Sequence, residues 1–237
     1  MKSLPPSAQP AVMSSISKPI LKIDWATHEA AKYACLNWHY SKTVPVGKLV
    51  KVGAWEDGKF IGAVIFARGA NMNMSKTYSL GQEECVELVR IALTSHKTPV
   101  SKICSFAIKF LKKQSPGLRL IISYADPEQG HHGGVYQAMN WIYRGESAQA
   151  IKVFYKGRWA HKKTVDDSGV DQTNLLKKKV AGKYTYLMPL DEEMRDKIAH
   201  LSKPYPKRVK GQDSGFPPGL GGSTPTHTLQ LSGLQNA

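Results

Sequence analysis

A chain of 237 residues with 41% hydrophobic content is long enough for one sizeable domain with decoration, and no apolar run approaches the ~20 residues of a membrane span. Lys and Arg number 33 against 18 Asp and Glu, a formal charge of +15 that favours a polyanionic partner, because neutralised phosphates release counterions. Cys35, Cys85 and Cys104, odd in number and without C-x-x-C spacing, argue against a disulfide scaffold or a four-cysteine zinc site and for a reducing cytoplasm.

Met1–Ser17 has Pro and Ser but no continuous apolar core, so it reads as a loose arm rather than a secretory signal. Ile20–Ile23 is a short apolar strand. A helix over Thr27–Trp38 follows, with Ala30, Ala31, Ala34, Cys35 and Trp38 on one face and Asp24 or Thr27 as cap. His39, Tyr40 and Ser41 lie just past its end. Leu49–Trp55, Glu56-Asp57-Gly58 and Lys59–Ala67 give a hairpin signal, and Arg68–Gln82 is a polar linker containing Asn71, Met72, Asn73 and Met74. Glu87–Leu93 is the next strand. Pro99 opens a helix to about Lys113. Leu118–Ser123 is a buried strand ending near Asp126, and Val135–Tyr143 reads as a helix stopped at Gly145. Ile151–Tyr155 and Tyr184–Pro189 are further strands, with the run Lys177-Lys178-Lys179 between them. Asp191–Leu201 is an acidic-started helix. The predicted organisation is a flexible arm over 1–18, one α/β domain over 19–202, and a basic, then Pro/Gly-rich disordered tail over 203–237.

The stretch IISYADPEQGHHGGVYQAMNWIYRGES, with a carboxylate at a strand end and a tyrosine early in the next helix, resembles the last βα unit of a GNAT-type acyltransferase. The resemblance implies a mixed central β-sheet flanked by helices over about Ile20–Pro189, with acetyl-CoA as cofactor. It also implies that the strand amides around Arg90, Ile91 and Leu93 bind the pantetheine arm, and that the following loop and helix start bind the pyrophosphate. Here that segment is His96, Lys97, Thr98, Val100, Ser101 and Lys102, where unpaired helix N–H groups and positive charge suit a phosphate. Thr, Pro and Ser stand where the family has glycines; an ordinary helix cap is the plainer reading of this segment.

His39-Tyr40, LVRIAL with Arg90, and SYADP…GHHGGVYQAMNW with Asp126 and Tyr136 are more specific: they resemble the phage Mu-type Mom family of bacteriophage DNA-modification proteins. Over His39–Tyr143 the resemblance implies an enzyme of the host bacterial cytoplasm. It would place a carbamoylmethyl group on the exocyclic amine of adenine in double-stranded DNA, protecting phage DNA from restriction, with His39, Tyr40, Arg90, Asp126 and Tyr136 at active-site or cofactor positions. That amine is a poor nucleophile, so a base and charge stabilisation are needed. Asp126 is the candidate base or orienting group, and Tyr136 the candidate proton donor to a leaving thiolate. His39 is a base, a substrate ligand or, with Tyr40 and Asp126, an iron ligand; iron enters because the family's new bond forms at the acetyl methyl carbon. A turn cap for Asp126, a packed aromatic for Tyr136 and a helix-end partner for His39 are the structural alternatives.

A base in duplex DNA must be flipped out or met in open duplex. Phosphate contacts are expected from Lys162, Lys163, Lys177, Lys178 and Lys179, with Lys109-Lys112-Lys113 and Lys207-Arg208-Lys210 as further patches. Trp159 is a stacking candidate and Trp141 a core residue. Three other readings are an N-acetyltransferase acting on a protein or small amine, a non-catalytic DNA-binding protein, and a His–Asn nuclease built on His131, His132, Asn140 and His161.

Overall fold

The computed structural model describes residues 17–68 and 73–207, without the side chains of 161, 163 and 164. Leu21–Trp25 (β1) leads into His28–Trp38 (α1), which starts where Thr27 Oγ1 accepts the Ala30 amide at 3.1 Å. Leu49–Glu56 (β2) and Lys59–Ala67 (β3) form the expected hairpin. Asp57 and Gly58 turn it with φ of +50° and +79°, the paired left-handed conformation of a type I′ turn. Cys85–Leu93 (β4), Val100–Gln114 (α2) and Leu120–Ala125 (β5) make a crossover that sets β4 and β5 parallel. Gly134–Gln137 (α3), Ile142–Glu146 (β6), Tyr184–Pro189 (β10) and Glu192–Ile198 (α5) complete the main sheet and its cover. Between β6 and β10 lie Ala150–Tyr155 (β7), Arg158–His161 (β8), Lys162–Asp166 (α4) and Lys177–Val180 (β9).

The main sheet has seven strands in the order β1-β2-β3-β4-β5-β10-β6, all antiparallel except β4–β5. Alternation along β3 shows the layering. Val64 and Phe66 pack in the core under α2, while Ala63 and Ile65 pack with Ala31, Ala34 and Cys35 of α1 on the other face. α5 covers that second face farther along, with Met194 and Ile198 on Leu120, Ile122 and Leu187. This is the mixed α/β sheet flanked by helices that the sequence led us to expect. Among the described residues no helix is long and apolar enough to cross a membrane.

Four expectations change. The helix predicted over Val135–Tyr143 is a single turn, because the chain reverses at Asn140, φ +56°, and Ile142–Glu146 is a strand. Gly145 is therefore not a helix cap. It sits at φ +115° beside a bulge, where Arg144 is the extra residue between the Tyr143↔Tyr186 and Gly145↔Thr185 pairs. Lys177–Lys179 lies in β9, and with β8 and β7 forms a second, three-stranded sheet in the order β8-β7-β9. Part of the polar linker is core: Met74, Tyr78 and Leu80 are buried, Asn73 is described, and Asn71 and Met72 lie outside the described residues. After Ser202 the chain stays attached as far as it is described. Lys203 N donates to Tyr143 O at 2.8 Å, and Tyr205 Oη to Trp141 O at 2.7 Å. The arm over 1–16, Arg208 and Lys210, and the stretch 211–237 lie outside the described residues.

Candidate active site

The parallel pairing of β4 with β5 ends at Leu88↔Ser123. Beyond it β4 continues to Leu93, held only by β3, so the edge facing β5 from Val89 onward is left without a strand partner among the described residues. A bulge accompanies the parting: Phe66↔Leu88 is followed by Ile65↔Arg90, with Val89 extra. Ser123 closes the last rung, its Oγ donating to Leu88 O at 2.8 Å and lying 2.7 Å from Tyr136 Oη. One hydroxyl has one proton. With that proton on the carbonyl, Tyr136 donates to Ser123.

The parting strands open a cavity of about 340 Å³. Arg90, Ile91 and Leu93 of β4 line one wall, and Val100 and Ser101 at the start of α2 line its end. Tyr124 and Ala125 at the end of β5 and Asp126 just past it follow, with His131–Gly134, Val135, Tyr136 and Ala138 beyond them, and Trp38, His39 and Tyr40 close the remaining side. His39, Tyr40, Arg90, Asp126 and Tyr136, scattered over a hundred residues of sequence, therefore meet in one cavity.

Each is held by its own contacts. His39 is 8% exposed, and burial, with the Arg90 charge and His131 adding to it, brings its pKa down to about 3. Its Nδ1 accepts the Ser41 amide at 3.1 Å and lies 2.8 Å from Ser41 Oγ, so the neutral ring carries its proton on Nε2. His39 is thereby a hydrogen-bond donor rather than a base. Tyr40 lies against it, ring centroids 4.3 Å apart, and His131 against Tyr40 at 4.8 Å. Burial likewise lowers His131, against the pull of the Asp126 carboxylate. Asp126 Oδ1 accepts the Glu128 amide at 3.0 Å and so caps the turn Pro127–Gln129, while no hydrogen bond among the described residues engages Oδ2. The turn-cap role and a free carboxylate oxygen thus coexist. Tyr136 is nearly buried, and burial holds its hydroxyl protonated far above the usual range. Arg90 donates from Nη1 to Val89 O at 2.7 Å, while its buried Nε has no partner among the described residues.

The expected phosphate loop is arranged differently. His96, Lys97, Thr98 and Lys102 do not line the cavity. The Lys97 and Thr98 amides and the Thr98 hydroxyl all go to the Glu56 carboxylate, at 2.7, 2.7 and 2.6 Å. His96 Nδ1 contacts Thr94 O at 2.7 Å. At this helix start Val100 and Ser101 line the cavity, and their N–H groups have no acceptor among the described residues.

The iron expectation finds no support among the described residues. The described residues hold no group of three or more His, Cys, Asp or Glu placed to bind a metal. His39 Nε2, the nitrogen free to face a ligand, carries the ring proton. Lys177, Lys178 and Lys179 are exposed on β9, and Lys178 Nζ lies 5.0 Å from the ring of Trp159, itself 40% exposed. Lys162 pairs with Asp166 at 2.9 Å; the Lys163 side chain lies outside those described. Lys112 instead ties down the end of α2, donating to Pro116 O and Leu118 O at 2.7 and 2.6 Å, and Trp141 is core at 0% exposure. His131 and Asn140 are separated by the turn of α3, without the β-hairpin that a His–Asn nuclease needs.

Sequence reasoning missed the residues that support the site. Tyr186 Oη donates to His132 O at 2.6 Å, and Gln137 Nε2 donates to both at 3.0 Å. Gly133, φ +81°, passes so close that an added Cβ would lie 2.3 Å from the Tyr186 ring. The Gly-Gly pair in the loop was the one available signal.

Among solved structures, the chain is similar to an acetyltransferase-type protein of Salmonella typhimurium solved with acetyl-CoA (14% identity, 73% of this chain and 95% of that one, TM-score 0.43). It is also similar to an N-acyl amino acid synthase from uncultured soil microbes (11%, 77% and 97%, 0.43) and to a GNAT-family protein of Chromobacterium violaceum (9%, 80% and 97%, 0.41). At these identities and scores no activity passes from them to this chain. No curated protein matches it. The profile of the Mom protein family matches residues 20–207, and the chain belongs to that family.

Proposed function

We propose that this protein is a transferase that uses an acetyl-CoA-type donor to place a two-carbon acyl unit on the exocyclic amine of adenine in double-stranded DNA. The observation that carries the reading is the convergence of His39, Tyr40, Arg90, Asp126 and Tyr136 on the cavity at the β4–β5 parting, in a chain of the Mom family. The unpaired edge of β4 and the Val100 and Ser101 amides suit the amide-bearing arm and the first phosphate of such a donor, and Arg90 Nε has a hydrogen bond to give. When bound, the donor supplies an activated two-carbon unit. Asp126 Oδ2 takes the proton from the amine as the new bond forms, and His39 Nε2–H donates to charge developing on the reacting carbonyl. Tyr136, whose proton is held too tightly for it to serve as a base, turns its single O–H from Ser123 Oγ to donate a hydrogen bond to a leaving thiolate. Exposed lysines of β9 and the Trp159 ring support a duplex docked beside the cavity.

The test is nucleoside mass spectrometry of DNA from bacteria expressing the chain. A modified deoxyadenosine, lost in the Asp126→Asn variant, is the expected result. Unmodified DNA together with an acetylated protein or small amine would replace this reading with an ordinary N-acetyltransferase.

A further inference from the structure

The Glu128 carboxylate ties the small sheet to the turn beside the cavity. Lys152 on β7 and Lys178 on β9 are directly opposed in the strand register, an arrangement in which like charges repel. Glu128 lies between them, with Oε2 2.5 Å from Lys152 Nζ and Oε1 3.6 Å from Lys178 Nζ. Glu128 belongs to the turn that Asp126 caps: its amide donates to Asp126 Oδ1, and the His131 amide donates to Asp126 O at 3.1 Å. His131 in turn lies against Tyr40 at the cavity wall. The two lysines are partly exposed, and Lys178 also covers the outward-facing Trp159.

We propose that the Lys152–Lys178 pair is a contact for a backbone phosphate of duplex DNA, held by Glu128 in the free protein, and that the phosphate displaces Glu128 and frees the Pro127–His131 turn. Two opposed ammonium groups around one anion form a site for a diffuse, doubly bonded acceptor, and a phosphate meets that need as well as a carboxylate. A displaced Glu128 no longer anchors the turn to the small sheet, so docking of the duplex loosens the wall formed by His131 as the base arrives. This rests on DNA being the substrate.

The experiment measures duplex binding by fluorescence anisotropy at several salt concentrations, and amide hydrogen exchange over 127–133, for the full chain. Glu128→Gln is expected to bind a 20-base-pair duplex about three- to tenfold tighter than wild type, and Glu29→Gln, an exposed carboxylate removed from α1, to differ from wild type by less than twofold. Lys152→Gln/Lys178→Gln is expected to weaken binding and to flatten its salt dependence by about one to two in slope. Exchange over 127–133 is expected to speed up in wild type on adding duplex, and in Glu128→Gln without it. Equal effects of Glu128→Gln and Glu29→Gln, or exchange unchanged by duplex, would overturn the displacement while leaving DNA as substrate. Faster exchange with coenzyme A alone would assign the lysine pair to the cofactor and overturn it too. No duplex binding by wild type would remove the DNA reading and this inference together.

Discussion

Thr98 gives both its amide and its hydroxyl to a single oxygen, Oε2 of Glu56, at 2.7 and 2.6 Å, while the Lys97 amide takes Oε1. A carboxylate from the end of β2 thereby organises the loop before α2. Although burial pushes the Glu56 carboxyl up, these hydrogen bonds bring it below its usual range. Glu56→Ala strands two amides and a hydroxyl, and we expect it to cost about 2–4 kcal/mol of stability. Glu56→Gln, which keeps one acceptor oxygen, should cost about half as much. Because the folded-state pKa is depressed, the carboxylate's contribution is present above pH 4.5 and lost as pH falls through the folded value. Urea denaturation at neutral and acid pH checks both; a loss below about 0.5 kcal/mol for Glu56→Ala would contradict the role.

His39 gives the second acid signature. Its folded pKa of about 3 lies below the ordinary 6.5, so below pH 6.5 the unfolded chain binds a proton that the folded chain refuses. Stability is full above pH 6.5 and declines toward pH 3, with a slope approaching about 1.4 kcal/mol per pH unit for this one group. His39→Asn is expected to flatten the stability profile between pH 6 and 4. An unchanged profile would mean that His39 takes its proton in the folded state.

Ser123 bridges Leu88 O and Tyr136 Oη, so its hydroxyl both closes the sheet and fixes the tyrosine. Ser123→Ala leaves both groups without this partner and is expected to cost about 1–3 kcal/mol. Tyr136→Phe should cost about 1 kcal/mol yet lower modification by about 10²–10⁴, the contribution of a positioned proton donor. Denaturation together with nucleoside mass spectrometry separates the two effects. If Tyr136→Phe modifies DNA at the wild-type rate, Tyr136 is only a packed aromatic.

The sequence revealed local features more readily than long-range ones. The Asp57-Gly58 hairpin was legible because a type I′ turn demands φ above zero at two adjacent positions, and α1 because Thr27 and the alanine stripe are local signals. The residues lining the cavity were reached through family motifs, since nothing in spacing alone brings His39 to Asp126. Glu56 was invisible as a site residue: it sits in a turn signal and finds its partners 41 and 42 positions away. The helix predicted after Val135 failed because Tyr143 and Ile142 have the same apolar character in a strand as in a helix, and pairing with β10 decides between them. Of the small sheet the sequence showed only β7, read at Ile151–Tyr155; β8 and β9 were missed because each has four residues and β9 is lysine-rich, which at the level of composition is indistinguishable from a solvated loop.

Asp126 is where a cap and a base must be told apart. Its Oδ1 accepts the Glu128 amide, a contact that the amide oxygen of asparagine can keep. Asp126→Asn is therefore expected to melt within a few degrees of wild type and to retain duplex binding, while losing about 10²–10⁴ of modification because no proton acceptor remains. Asp126→Ala removes the cap as well, and should lose the same activity plus about 1 kcal/mol of stability. A pure cap predicts the opposite order: Asn nearly fully active, and Ala impaired only to the extent that the turn unravels. Measuring both variants by thermal denaturation and nucleoside mass decides the matter, because the two roles rank Asn and wild type differently in activity while agreeing on their stability.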